Sequence, residues 1–336
     1  MRAKLIIILS CLGLATPCLF SEQFVKYEKY RPDHGHLIQT VPFEKWLERN
    51  YCGPACLSMV LNYWDAARSF SQRKITDEIY DSESQATYNS EMVLYPRSRG
   101  FESYSFQGNL RILKDVIGKD IPVIVLTKTL KQLPIGHFRV VIGFDEDDDQ
   151  IIFHDPLLGE RYAMRGKDFM KVWALGKGRN QDRWMMAVVP VQTSFPFPEL
   201  QNDPLTSINL ATAYYRRSDF AKSREEWAKV RESLDGDPYP VYSLAMVSLR
   251  EGKAEEAEAF ALQALGLDAK SAYAHDVLGL AYATQGRFVP ALQSLGQAVR
   301  LAPGEEFIRN HYLQVRGIYI EKARLDEIQK KEKPNA

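Results

Sequence analysis

From Leu210 onward the chain repeats itself every 34 residues, and no other feature restricts its fold as tightly. Leu210, Leu244 and Leu278 stand in register, as do Ala211, Ala245 and Gly279, then Ser223, Ala257 and Ala291, then Val230, Ala264 and Ala298. Small residues at fixed places in such a period mark where the two helices of a hairpin touch. One hairpin cannot cover its own apolar face, so the pattern predicts three stacked copies and a closing helix near residues 305–330. The stack curves, and its concave side suits an extended peptide or a partner's helix, though it could equally brace the chain or mediate self-association.

The 336 residues allow a second domain ahead of the stack. Lys plus Arg and Asp plus Glu both number 43, so net charge argues for neither nucleic acid nor an anionic membrane surface. At the start, Arg2 and Lys4 precede an apolar run over residues 5–14 and a break at Pro17. Residues 1–21 are thus expected to be a signal peptide of an exported, periplasmic or extracellular protein. An uncleaved or lipidated N-terminus, with membrane anchoring, is the other outcome. Prolines at 190, 196, 198 and 204 mark an expected linker over residues 192–204, between a domain at 22–191 and the repeats at 205–330.

Within the first domain the stretch Asn50-Tyr51-Cys52-Gly53-Pro54-Ala55-Cys56 reads as an abrupt entry into a helix, since proline suits a first turn. Leu57, Val60, Leu61 and Trp64 then recur at helical spacing, which predicts one buried face. Cys52 falls at the N-terminus, where unpaired amides and the helix dipole favour a thiolate. Cys56, one turn on, is badly placed to pair with it and reads as a small apolar residue.

Further along, residues 121–126, 137–144, 150–154, 161–164 and 184–191 have strand character, with a helix near 167–174. Helices followed by an antiparallel sheet indicate an α+β domain. The acidic run over residues 145–149 reads as a solvated hairpin turn, lacking the spacing of a calcium loop. A turn centred on Glu146 sets His137 across from Asp155 and points His154 the other way. His34 and His36 have no cysteine nearby and read as surface residues. Cysteine at a helix start, with histidine and aspartate on neighbouring strands, is the set that nucleophilic acyl transfer needs.

The strings YCGPACLSMVLNYW, GHFRVVIGFD and IIFHDP, in this order, resemble the bacteriocin-processing cysteine peptidase family, whose domains cut leader peptides after a Gly-Gly pair at the front of peptide-exporting ABC transporters. The chain is similar, more closely, to stand-alone exported members that carry tetratricopeptide repeats, the class to which the 34-residue period points. The resemblance spans about residues 41–191 and implies a papain-like cysteine peptidase domain with Cys52 as nucleophile, His137 as general base and Asp155 as its orienting partner. It implies no cofactor and no metal.

One position departs from the pattern. The family has a glutamine five or six residues before the nucleophile, whose amide stabilises the oxyanion, where this chain has Trp46 and Leu47; Gln39 is too far upstream. The indole N–H of Trp46, or the Cys52 backbone amide alone, would then have to serve. The expected architecture is an α+β papain-like cysteine peptidase domain followed by an all-α tetratricopeptide-repeat solenoid. The expected function is peptide-bond hydrolysis through Cys52, His137 and Asp155, with the repeats recruiting a protein partner or substrate. An inactive peptide-binding module of the same fold and a papain-like acyltransferase are the competing readings.

Overall fold

The helix that begins at Cys52 is buried on every side over its first ten residues, from Cys52 to Leu61. The expected single buried face is corrected here. Ala55, Cys56, Leu57, Val60 and Leu61 have no exposed surface, because a sheet and a second helix both cover it.

The computed structural model describes residues 24–130, 133–175 and 182–332; the expected leader, residues 1–21, lies outside them. In chain order the elements are β1 (Val25–Lys26), β2 (Gly35–Leu37), α1 (Cys52–Trp64), α2 (Gln72–Ile79), β3 (Tyr80–Asp81), β4 (Ala86–Thr87), α3 (Asn89–Arg97) and β5 (Phe101–Gln107). Then come α4 (Leu110–Ile117), β6 (Val123–Leu130), β7 (Leu133–Asp145), β8 (Gln150–Asp155), β9 (Gly159–Arg165), α5 (Gly166–Trp173) and β10 (Trp184–Pro190). The remainder is helical: α6 (Pro198–Gln201), α7 (Pro204–Arg216), α8 (Phe220–Ser233), α9 (Pro238–Arg250), α10 (Ala254–Leu267), α11 (Ala272–Thr284), α12 (Phe288–Leu301) and α13 (Glu306–Glu332).

The chain forms two compact units, and neither is a single stretch of sequence. The first comprises the described residues up to Thr87 with Gln107–Pro190; the second comprises Tyr88–Phe106 with the residues from Val191 onward. The expected split near residues 191–205 therefore misses a segment. Helix α3 packs against α7, Arg217 donates to Glu91 Oε2 (Nε at 3.1 Å), and Thr206 and Asn209 hydrogen-bond to Ser105. These partners lie 101 to 126 residues apart in sequence, and local periodicity does not report such pairings.

The first unit is built on an antiparallel sheet in the order β1-β9-β8-β7-β6-β10, with β2 paired to the end of β7. Helix α1 packs on β7 and β10, and Trp64 ties its far end down by donating to the Val188 carbonyl at 2.7 Å.

The β7–β8 hairpin differs in register from the expectation. Its outer part pairs Asp145 with Gln150, Phe144 with Ile151 and Gly143 with Ile152; beyond a bulge it pairs Val141 with Phe153 and Val140 with His154. One residue further, Arg139 rather than His137 stands across from Asp155, and His137 is its diagonal neighbour on the same face. Continued without the bulge, the outer register would set Asp155 across from Val140 and turn it to the opposite face.

Nor is the acidic run uniformly solvated. Asp145 is fully buried, accepting from Tyr27 Oη and Lys29 Nζ, each at 2.9 Å, and from the Asp147 amide at 3.0 Å. It acts as an internal cap of the turn, which composition alone does not distinguish from a polar tip.

In the second unit, α7 with α8, α9 with α10 and α11 with α12 form three hairpins, and α13 closes the stack. Ala211, Ala245, Ala257, Ala261, Ala291 and Ala298 are fully buried where neighbouring helices meet, and at Gly279 a Cβ would lie 2.5 Å from Leu295. None of the helices among the described residues is long and apolar enough to cross a membrane.

Gly143 tests the bulge. A Cβ there would lie 2.6 Å from the His36 carbonyl oxygen and 2.8 Å from Leu37 Cδ1. Gly143→Ala is expected to displace β2 or the bulge and to lower stability by about 1–3 kcal/mol. Denaturant titration measures it, and an unchanged midpoint would refute the requirement for glycine.

Candidate active site

Asn50, at φ 71°, turns the chain through the left-handed region that asparagine tolerates, and α1 starts two residues later. Tyr51 caps the helix without a side-chain hydrogen bond, so the first-turn amides remain directed at the region around Cys52. The Cys52 sulfur meets the His137 ring and the Phe138 backbone N–H. Burial pushes the thiol up, but the hydrogen bond and charge of His137 and the Phe138 amide outweigh it, and the net shift is downward. Cys56, fully enclosed and without those partners, is pushed well above the ordinary range by burial.

His137 and Asp155 meet at 2.8 Å, Nε2 to Oδ1, leaving Nδ1 to the thiol. Both are buried, at 2% and 0% exposure. Burial opposes charging the imidazole, yet the Asp155 carboxylate and the Cys52 thiol prevail and raise it to about 9. Asp155 moves the opposite way: burial would raise it, but the charges of Arg139 and His137 and the Leu157 amide hold it well below the usual carboxylate range.

Two contributors escaped the sequence reading. Arg139 is 2% exposed and donates from Nε to Asp155 Oδ2 at 2.7 Å. Its signal was a lone cation two residues beyond His137 in an otherwise apolar strand, which puts both on one face. Gln72, on α2, is 1% exposed and holds the segment before Cys52: Oε1 accepts from the Leu47 amide at 2.6 Å and Nε2 donates to the Lys45 carbonyl at 3.0 Å.

Trp46 sits on that segment, its amide donating to the Pro156 carbonyl at 3.2 Å. Its ring stands edge-on to His137, with centroids 5.8 Å apart and planes at 82°. This position covers the imidazole from one side. His154 faces away from the Cys52 cluster: Nδ1 accepts from the Arg161 amide at 3.0 Å, so Nε2 carries the proton and donates to the Val41 carbonyl at 3.1 Å. Burial lowers it to about 4, against the smaller upward pull of the Val41 carbonyl, so the ring is neutral. His34 and His36 pair with Asp147 and Asp120, at 2.9 and 2.8 Å.

Residues 38–180 match the Peptidase_C39 like family. The matched stretch contains Trp46, Cys52, His137, Arg139 and Asp155, and it indicates a cysteine peptidase fold for the first unit. No curated protein matches the chain. Among solved structures, the peptidase domain of Streptococcus ComA, a bi-functional ABC transporter involved in a quorum-sensing pathway, is 21% identical; the match covers 45% of this chain and 98% of that one, with a TM-score of 0.35. The second TPR domain of human RPAP3, solved with an HSP70 peptide, is 20% identical over 33% of this chain and 92% of its own, with a TM-score of 0.30. The Sgt2 TPR domain from Aspergillus fumigatus is 17% identical over 42% and 88%, with a TM-score of 0.34. The chain joins a peptidase-like, sheet-rich domain to a helical region that has TPR domains among its structural neighbours.

The contrast between the two thiols predicts their order of reaction. Alkylation near pH 6, read by peptide mass spectrometry, is expected to modify Cys52 at least tenfold faster than Cys56. Equal rates would remove the special status of Cys52.

The histidines predict how stability follows pH. Below pH 6.5 an unfolded chain binds a proton at residue 154 that the native ring, at about 4, does not; this stabilisation is complete above pH 6.5 and is lost as pH falls towards 4. His137 has the opposite sign, contributing fully below 6.5 and losing its contribution as pH rises through about 9. Denaturant titrations between pH 7.5 and 4 should show wild type losing stability more steeply than His154→Gln. Parallel slopes would count against the buried neutral ring.

Proposed function

We propose that the first unit is a cysteine peptidase whose nucleophile is Cys52. The observation that carries this reading is the chain of contacts from the Cys52 thiol to His137 and from His137 Nε2 to Asp155 at 2.8 Å. His137 Nδ1 takes the thiol proton, and the thiolate attacks the carbonyl carbon of a peptide bond. The resulting oxyanion is met by the Cys52 backbone amide at the helix start. His137 returns the proton to the leaving amine, and the C–N bond breaks to leave a thioester on Cys52. Water, deprotonated by the same nitrogen, releases the acid and restores the thiol. Asp155 holds the ring in the tautomer that presents Nδ1 to sulfur.

Trp46 carries either of two roles in this scheme: donor to the oxyanion through its indole N–H, or a cover for the His137 ring. The edge-on packing at 5.8 Å supports the second. It also favours a competing reading, a peptide-binding module without turnover, because a cover is not a donor. The repeats are proposed to hold a protein partner or substrate. Supporting this, Tyr273 stacks on Tyr242 and on Phe307, at 5.6 and 5.9 Å, while Tyr273 and Phe307 stay about two-fifths exposed. The apolar leader supports an exported protein, which N-terminal sequencing of the mature chain would test.

The decisive assay is hydrolysis of a peptide pool with products mapped by mass spectrometry. Cys52→Ala is expected to abolish cleavage, and Asp155→Asn to reduce kcat by several orders of magnitude. Trp46→Phe keeps a covering ring, so near-wild-type turnover assigns the cover, while a fall of about 10²–10³ assigns the indole donor. Tyr273→Ser with Phe307→Ser should weaken capture of a protein substrate and spare short peptides. Indistinguishable product maps for wild type and Cys52→Ala would leave the binding module in place of the enzyme.

A further inference from the structure

The charge inventory of the site is incomplete without the residue across the strand from Asp155. We propose that Arg139 is a positioning residue of this site: its buried guanidinium holds Asp155 ionised in one fixed plane and makes the thiolate–imidazolium form of the whole cluster electrically neutral. The proposal rests on Cys52 as nucleophile.

Asp155 Oδ1 accepts from His137 Nε2 and from the Leu157 and Leu158 amides, at 2.8, 2.8 and 3.2 Å, while Oδ2 accepts from Arg139 Nε at 2.7 Å. The Arg139 Nη1 donates to Thr127 Oγ1 and, at 3.2 Å, to the Lys128 carbonyl. Thr127 Oγ1 in turn donates to the His137 carbonyl at 3.1 Å. Arg139, Thr127, His137 and Asp155 thus close a ring of hydrogen bonds, so neither the imidazole nor the carboxylate can rotate without breaking it. The rings of Phe24 and Phe153 flank the guanidinium at 5.4 and 5.6 Å.

In the reactive state Cys52 is negative and His137 positive; adding the Asp155 carboxylate alone would leave a net negative charge buried at the sheet face. Such a charge is costly out of water, and it opposes formation of the thiolate. Arg139 cancels it. Among the described residues, Cys56 on the same helix, which stays protonated, and Tyr80 on β3 also feel the charge of Cys52. Neither supplies a positive charge.

The test measures iodoacetamide alkylation of Cys52 against pH by mass spectrometry, in wild type, Arg139→Met and Arg139→Lys, with folding checked by circular dichroism. Arg139→Met is expected to move the acidic limb up by about one pH unit, a roughly tenfold slower reaction near pH 6. Arg139→Lys, which keeps the charge and gives up the fixed fork, should hold the limb within a few tenths of wild type while lowering kcat for peptides and leaving KM unchanged. A folded Arg139→Met with the wild-type limb overturns the proposal, as does Arg139→Lys reacting like an ordinary thiol. The lysine variant alone decides if the methionine variant does not fold. If wild-type Cys52 itself reacts only in the ordinary thiol range, the nucleophile reading fails, and this proposal falls with it.

Discussion

A single extra residue in β7 determines which side chains share a face with Asp155. Pairing of β7 with β8 advances by one between Val141 and Gly143, and that shift turns His137 and Arg139, instead of Val140, towards the carboxylate. Because strand side chains alternate, a register error of one would exchange the polar cluster for the apolar core. The bulge lies where β2 meets β7, and Ile38 donates to the carbonyl of Ile142, the residue at the bulge, at 2.8 Å. Segments far apart in sequence therefore hold the local irregularity in place.

Around that cluster the site is enclosed on several sides. Helix α1 brings Cys52 from one direction, the sheet brings His137, Arg139 and Asp155 from another, and the segment carrying Trp46 is fastened by Gln72 and by the Pro156 carbonyl. Burial raises every thiol pKa here, so the difference between Cys52 and Cys56 comes from hydrogen bonds and charge, one helical turn apart on the same helix. His154 and His137 are both buried, and burial lowers both; His154 has no carboxylate to offset it and stays low, whereas the Asp155 carboxylate and the Cys52 thiol carry His137 upward.

Much of the architecture was legible in the residues. The period of 34 placed three helix hairpins and the closing helix, glycine, proline and apolar spacing placed α1, and strand patterning placed β6 to β10 but not the short strands before them or β5. Cys52, His137 and Asp155 stood out by residue type and context. The hairpin register did not, since the turn spans Glu146 to Asp149 and a bulge follows it, and neither leaves a compositional mark; the expected pairing was off by two, an even number, which kept His137 and Asp155 on one face. Arg139 looked like a stray cation because its partners, Asp155 and Thr127, come from two other strands. The segment Tyr88–Phe106 has its partners beyond residue 190, a pairing that local spacing does not report.

That displaced segment bears on how the chain matures as it is made. Ser105 waits for Thr206, 101 residues later, and Glu91 for Arg217, 126 residues later. At ribosomal speeds of about 5–20 residues per second, the interval is roughly 5–25 s. Throughout it the buried side of α3, with Met92, Val93 and Leu94, has emerged without α7 to cover it, while the strands of the first unit are appearing behind it. The order of emergence thus leaves the buried side of α3 uncovered until the first repeat helix has been made, so this part of the second unit cannot be completed in step with synthesis of the sheet.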